Sequence, residues 1–363
     1  MGLLRFLLAI TVVLGHSSSI FGFQLVGGAL AVQAFYIISG FYMTLILNEK
    51  YVGKNSSYKL FISNRLLRLF PIYWTVLLLT ILYSVVVSIY SKGNDLGSFS
   101  YYADYWNVMS IGSFIYFVFT NLFLFLQDTV MFLSLDTASG NLFFTSNFHR
   151  HTPALYNFLM VPQAWTIGVE IAFYIIAPFL VRRKLNIIIP LILLSLLLRA
   201  VLYYHFNLKN DPWTYRFFPT ELVFFLLGIV SYHAYKKLDT LSIKKIYLQL
   251  IWLSVIGATL FHSFLPIPHK DKLYLFGFFI TLPFVFILTK NWKKDAYIGE
   301  LSYPIYISHI LLFTILKSLN IPITGSLLGI TLSILTVGFS LFLTNLVTKR
   351  IERIRQKRIV PNR

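Results

Sequence analysis

The chain has no cysteine among its 363 residues. That absence removes disulfides, thiolate metal sites and a cysteine nucleophile together, so covalent chemistry has to come from His, Ser, Thr or a carboxylate. Charge is scarce too: 12% of residues are charged and 57% are hydrophobic, far from the balance of a soluble domain. Acidic residues are the scarcest, 13 against 31 Lys and Arg, for a formal net charge of +18. A membrane protein collects Lys and Arg in its cytoplasmic loops, so most of this excess needs no ligand and no nucleic-acid partner. Internal repeats, a phosphate-cradling glycine loop and low-complexity tracts are missing as well. What remains is a polytopic membrane protein. Arg5 and Ser17-Ser18-Ser19 imitate the ends of a secretory signal, but a second apolar span begins almost at once and no soluble domain follows.

Apolar runs near 3–20, 28–47, 70–91, 162–181, 186–205, 217–235, 246–265, 272–290, 302–319 and 325–348 are each long enough to cross about 30 Å of hydrocarbon. The segment 112–134 is apolar but carries Asn121, Gln127 and Asp128. If it does not cross, the basic clusters Lys50 to Arg68, Arg182-Arg183-Lys184, Lys236 to Lys245, Lys290 to Lys294 and Lys349 to Arg363 all fall on one side, as the positive-inside rule requires. The expectation is an all-α bundle of about ten transmembrane helices around a central cavity. It lies in the inner (cytoplasmic) membrane with both termini inside, and 112–134 forms a re-entrant or interfacial element. Residues 1–348 make one membrane domain and 349–363 a basic tail. The outer segment 92–161 is rich in Tyr, Asn, Ser and Phe, which suits sugars and equally an interfacial aromatic belt. His149-Arg150-His151 has the spacing of neither a zinc site nor a hydrolase triad, so no metal is expected.

Four stretches carry chemistry. In the first helix Arg5 and His16 are eleven residues apart, which at about 100° and about 1.5 Å per residue places them on one stripe roughly 16 Å apart in depth. Titratable groups in a membrane helix usually face a cavity or a partner. In the second helix Ser39-Gly40, after Tyr36, lets another helix come close; packing and a substrate role both fit. Next, Arg65 and Arg68 share a face three residues apart, before Pro71 and Tyr73-Trp74. They could grip a phosphate-bearing donor, and Pro71 is expected to bend or restart the helix. Glu170 follows Trp165 in an apolar run and needs a cation, a donor or a proton; His16, whose tautomer it would fix, is the partner expected. Ser302, Tyr306 and His309 follow i, i+4, i+7 spacing on one face; for His309 a core role and a substrate contact both stand.

In these residues, taken in order from about 3 to 345, the sequence resembles the membrane acyltransferase 3 family of integral-membrane O-acyltransferases, which modify polysaccharides and lipopolysaccharide sugars. The match rests on Arg5/His16, Ser39-Gly40, Arg65-x-x-Arg68-x-x-Pro71, Trp165 to Glu170 and Ser302-Tyr303 to His309. Gln33 stands where relatives often carry an acid, and an appended extracytoplasmic hydrolase-like domain is not expected. The resemblance implies transfer of an acetyl group from cytoplasmic acetyl-CoA, a co-substrate rather than a bound cofactor, to a glycan hydroxyl, with Arg5 and His16 essential. His16, Glu170 and Arg5 are then the catalytic set. Arg65, Arg68, Tyr73 and Trp165 contact the donor, and Tyr36, Ser39, Ser302, Tyr306 and His309 line the cavity. The partners are the lipid bilayer, acetyl-CoA, the glycan acceptor and glycan-assembly proteins. A transporter or flippase of a glycan or anionic lipid precursor is the alternative that intramembrane Arg, His and Glu would also suit.

Overall fold

The computed structural model describes residues 1–359; the end of the expected basic tail, 360–363, lies outside the described residues. The apolar runs form helices α1 Gly2–His16, α2 Gly28–Glu49, α3 Tyr58–Tyr90, α4 Ser100–Tyr105, α5 Ile111–Leu122, α6 Trp165–Leu180, α7 Leu185–Ala200, α8 Phe218–Leu238, α9 Lys245–Phe261, α10 Lys270–Thr289, α11 Lys293–Glu300, α12 Ser302–Ser318, α13 Gly325–Leu343 and α14 Lys349–Lys357. Among the described residues, 9 helical spans, with α11 and α12 and likewise α13 and α14 taken as one and α6, α7 and α9 extended by their flanking turns, are long and apolar enough to cross a membrane. The short α1 is the tenth expected span. On α7, Leu193, Leu194 and Leu197 are exposed, as a lipid-facing stripe should be. This is an all-α, multi-pass membrane protein.

Three local differences from expectation have simple causes. The first span stops at His16 rather than at 20, where Ser17 N–H bonds back to the Val13 and Leu14 carbonyls. Helix α3 runs unbroken through Pro71, because a proline removes one intrahelical hydrogen bond without forbidding continuation. Arg65 and Arg68 therefore belong to the same 33-residue helix as the apolar stretch behind them. Within 112–134, α5 has only 12 residues, about 18 Å at the helical rise, too short to span. Its N-cap Ser110 accepts from Ser113 N–H. A 3-10 turn at Gln127–Phe132 follows, then an unforeseen antiparallel ribbon, β1 Leu133–Leu135 with β2 Leu142–Phe144.

The described residues group into two compact units. The first comprises Met1–Arg68, Ile176–Leu193 and the chain from Leu222 onward; the second comprises Leu69–Ile175 and Leu194–Glu221. In the first, Ala9 and Val13 of α1 pack on Leu301 just before α12, on Ile305 within it and on Leu332 of α13. Helices α2 and α8 touch backbone to backbone: a Cβ on Gly40 would lie 2.0 Å from the Phe225 carbonyl oxygen, and one on Gly228 2.1 Å from that of Ile37. The close approach expected of Gly40 is therefore reciprocal.

The second unit has an aromatic core, with Phe117 and Phe158 stacked at 4.5 Å and Tyr102 edge-on to Phe158. Its polar residues close upon one another. Asn121 donates to the Phe117 and Phe158 carbonyls and accepts from Met160 N–H at 2.7 Å. Gln127 donates to the Thr120 carbonyl. Such bonds satisfy the irregular backbone after α5, which no water would reach at membrane depth.

Candidate active site

Arg5 and His16 do share one face of α1, and that face meets α12. The Arg5 guanidinium donates to Ser302 Oγ at 3.0 Å, which in turn donates to the Gly299 carbonyl. Arg5 also lies 5.9 Å above the Tyr42 ring of α2. Its head thus reaches protein rather than extending along lipid. Eleven residues farther on, His16 lies against His309, with ring centroids 4.9 Å apart. Spacings of eleven on α1 and seven on α12 both return to the starting azimuth to within about 20°, so one helix pair makes two polar contacts at two depths.

The hydrogen bonds assign the protons. His309 Nδ1 is 2.7 Å from the Tyr306 carbonyl, which can only accept, so this nitrogen carries hydrogen and Nε2 of the neutral ring is a lone pair. That lone pair faces His16 Nδ1 at 3.3 Å, and the Val12 carbonyl faces the same Nδ1 at 2.9 Å. Both are acceptors, so His16 Nδ1 is protonated and His16 Nε2 is the free base nitrogen. His309 is fully buried, whereas His16 is exposed. A buried, tautomer-fixed imidazole therefore holds an accessible one. If His16 Nε2 takes a proton, the Nδ1–H bonds to His309 and Val12 strengthen with the positive charge.

Within the first unit, His309 and Val12 orient His16. Glu170, half-buried in α6, accepts from Tyr174 Oη at 2.5 Å one turn away. Tyr306, in the first unit, is buried and supplies the carbonyl that fixes His309. Tyr36 is buried and stacks on Phe225 at 4.6 Å, and Ser39 is buried beside Gly40. Arg65 is buried and Arg68 half-buried.

Two residues expected to contact the donor, Tyr73 and Trp165, lie in the second unit and pack there. Tyr73 is fully buried and donates to the Asn121 carbonyl at 2.6 Å. The face of Trp165 carries the Arg216 guanidinium at 4.1 Å, with Tyr215 edge-on, and Arg216 is ion-paired to Asp211 at 2.7 Å. Aromatic residues next to a motif are enriched for packing as much as for ligands, and spacing alone does not separate the two.

Sequence reasoning passed over Arg199 and Glu221. They form an ion pair at 2.6 Å, with Glu221 fully buried and Arg199 donating as well to the Thr214 and Thr220 carbonyls. Their signal was the cost of a charge inside an apolar run. Asp128, read in the sequence only as a charge against crossing, lies outside the spanning segments, and burial pushes its carboxyl up to about 7 against the weaker opposing pull of its own N–H and Arg216. Gly168 leaves room for that carboxylate, since a Cβ there would lie 3.0 Å from Asp128 Oδ1.

A multi-pass helical membrane protein with an oriented histidine base facing out from its first helix is the class that fold and site define. The chain belongs to the acyltransferase domain family Acyl_transf_3, whose model matches residues 1–345 and so runs through both units. It is an integral-membrane acyltransferase. A protein of Aquifex aeolicus (strain VF5), itself described as uncharacterized, is 32% identical over 216 residues, covering 54% of this chain and 89% of that protein. No solved structure matches the chain.

Proposed function

We propose that the protein transfers an acetyl group from cytoplasmic acetyl-CoA to a hydroxyl of a cell-surface polysaccharide or lipid-linked glycan. The site would lie in the inner membrane, with the basic loops and both chain ends on the cytoplasmic side. The observation that carries this reading is the His309–His16 pair, which leaves one imidazole nitrogen basic and accessible in a chain of acyltransferase family.

In the reaction, the acceptor oxygen attacks the thioester carbonyl as His16 Nε2 removes its proton. The new C–O bond forms, the C–S bond breaks, and the proton passes from His16 to the departing thiolate. Arg5, held by Ser302, stabilises negative charge along the donor's route, and Arg65 and Arg68 bind the donor phosphates. Glu170 stays assigned to the same chemistry because a membrane-embedded carboxylate is costly to keep for packing alone.

The test is mass spectrometry of surface glycans from a deletion strain carrying wild type or His16→Ala. Acetyl groups should vanish in the deletion, return with wild type and stay absent with the variant, while polymer amount is unchanged. General base catalysis is worth about 10²- to 10⁴-fold, so turnover should fall by that factor. Loss of the polymer itself would point to transport, and near-normal acetylation by His16→Ala would remove the catalytic assignment.

A further inference from the structure

Helix α14 lies beyond the family-matched residues, which end at 345. It is short and strongly charged, yet one of its arginines, Arg355, is buried. Arg355 Nε donates to the Asn64 carbonyl on α3 at 2.8 Å, and its Nη1 is bonded to Glu352. One turn on, Arg358 donates to Asn64 Oδ1 at 2.9 Å and to Ser63 Oγ at 2.7 Å. Lys50, at the end of α2, donates to Gln356 at 3.0 Å. α14 is thus fastened on the turn of α3 that holds Asn64 and Arg65.

This docking collects like charge. The Arg355 guanidinium is repelled by both Arg65 and Arg68, and Lys50 by Arg355 and Arg65. The Glu352 carboxylate acts on both Arg355 and Lys50. Five cations, Lys50, Arg65, Arg68, Arg355 and Arg358, therefore gather where α14 meets α3, with Glu352 among them. Among the described residues Arg68 has no hydrogen bond or ion pair, and Arg355 Nη2 has no hydrogen-bond partner. Packing would not bury a guanidinium among its own kind, since each like pair opposes the fold. Bound phosphate groups would reverse the sign of the interaction. The positive field also continues inward: Arg68 and Arg5 both act on Tyr42, and Arg5 is on the helix that carries His16.

We infer that α14 completes the donor site, with Arg355 and Arg358 joining Arg65 and Arg68 to hold the phosphate groups of a nucleotide-bearing thioester. The inference rests on the proposed function, because it takes Arg65 and Arg68 as the donor's anchors.

The experiment titrates coenzyme A into the full-length protein in neutral phosphatidylcholine nanodiscs, using wild type, Arg68→Gln, Arg355→Met, Arg355→Lys and Arg358→Gln, each with its Tm. Arg355→Met keeps the stem and loses the charge. A charge-assisted bond is worth about 1.5–3 kcal/mol, so Arg355→Met should weaken Kd about tenfold or more, Arg358→Gln somewhat less, and Arg355→Lys should recover part of the loss. If Arg68→Gln loses affinity while Arg355→Met and Arg358→Gln bind like wild type, the role of α14 is overturned and the donor reading stands. If wild type does not bind coenzyme A, both fall. Phosphatidylglycerol nanodiscs that then stabilise wild type but not Arg355→Met would make the phosphate a lipid's. Should Arg355→Met fail to fold, Arg358→Gln decides alone.

Discussion

The two units treat membrane-embedded polarity in opposite ways. In the second unit Arg199 meets Glu221 and two backbone carbonyls, Tyr73 and Gln127 tie off the chain after α5, and Arg216 is shared between Asp211 and Trp165. In the first unit two polar side chains stop short of closure. His16 has one nitrogen committed and one bare, and Arg68 has no protein partner among the described residues. A polar group costs the same to embed in either place. Where it is closed by protein it stabilises the fold; where it is left open it has been kept for something that arrives later.

The largest effect should come from opening a closed pair. Removing one partner of a buried ion pair costs on the order of 3–5 kcal/mol, so Glu221→Gln should lower Tm by many degrees in detergent, whereas the double change Arg199→Met with Glu221→Met should recover much of the loss. If Glu221→Gln melts like wild type and instead abolishes turnover, the pair belongs with the open groups.

A smaller effect is expected at His309. Replacing it by Ala removes one of the two acceptors on His16 Nδ1, a bond worth about 1–1.5 kcal/mol, so kcat should fall roughly tenfold. The Val12 carbonyl alone would then hold the His16 Nδ1–H, and the shape of the pH–rate profile should change. A purely structural His309 would change Tm and leave the profile's shape alone.

A pH-dependent effect concerns Asp128, whose folded carboxyl titrates near 7, against about 3.9 in the unfolded chain. The folded state binds the proton more tightly, so stability is lost as pH rises from about 4 to about 7 and is level above that. Asp128→Asn removes this dependence. It should raise Tm at pH 8, raise it less at pH 5 and leave it unchanged below pH 4; a flat wild-type curve would show that Asp128 is solvated.

Much of the first unit's site was legible before any coordinates, because one helix imposes it. Arg5 and His16 on α1, and Ser302 and His309 on α12, are related by turns of a single helix, and helical geometry relates residues within one element without reference to the rest. Gly40 was legible for the same kind of reason: a missing side chain announces a close neighbour, though not that the neighbour is α8. The partners of Tyr73 and Trp165, the Asn121 carbonyl and the Arg216 guanidinium, were not legible, since an aromatic next to a motif looks the same in sequence whether it faces a ligand or another side chain.

By itself, then, the sequence determined the membrane class, the expected spans, the short element at 112–134 and the faces on which the polar residues lie. Those follow from local hydrophobicity and helical period, which are properties of contiguous residues. Tertiary structure alone decided who meets whom. It gave His16 a buried histidine 293 positions away, closed Arg199 upon Glu221, and carried Arg355 back to Asn64 at the chain's opposite end. Pairing across such separations depends on how helices pack, and packing is set jointly by every side chain in the contact.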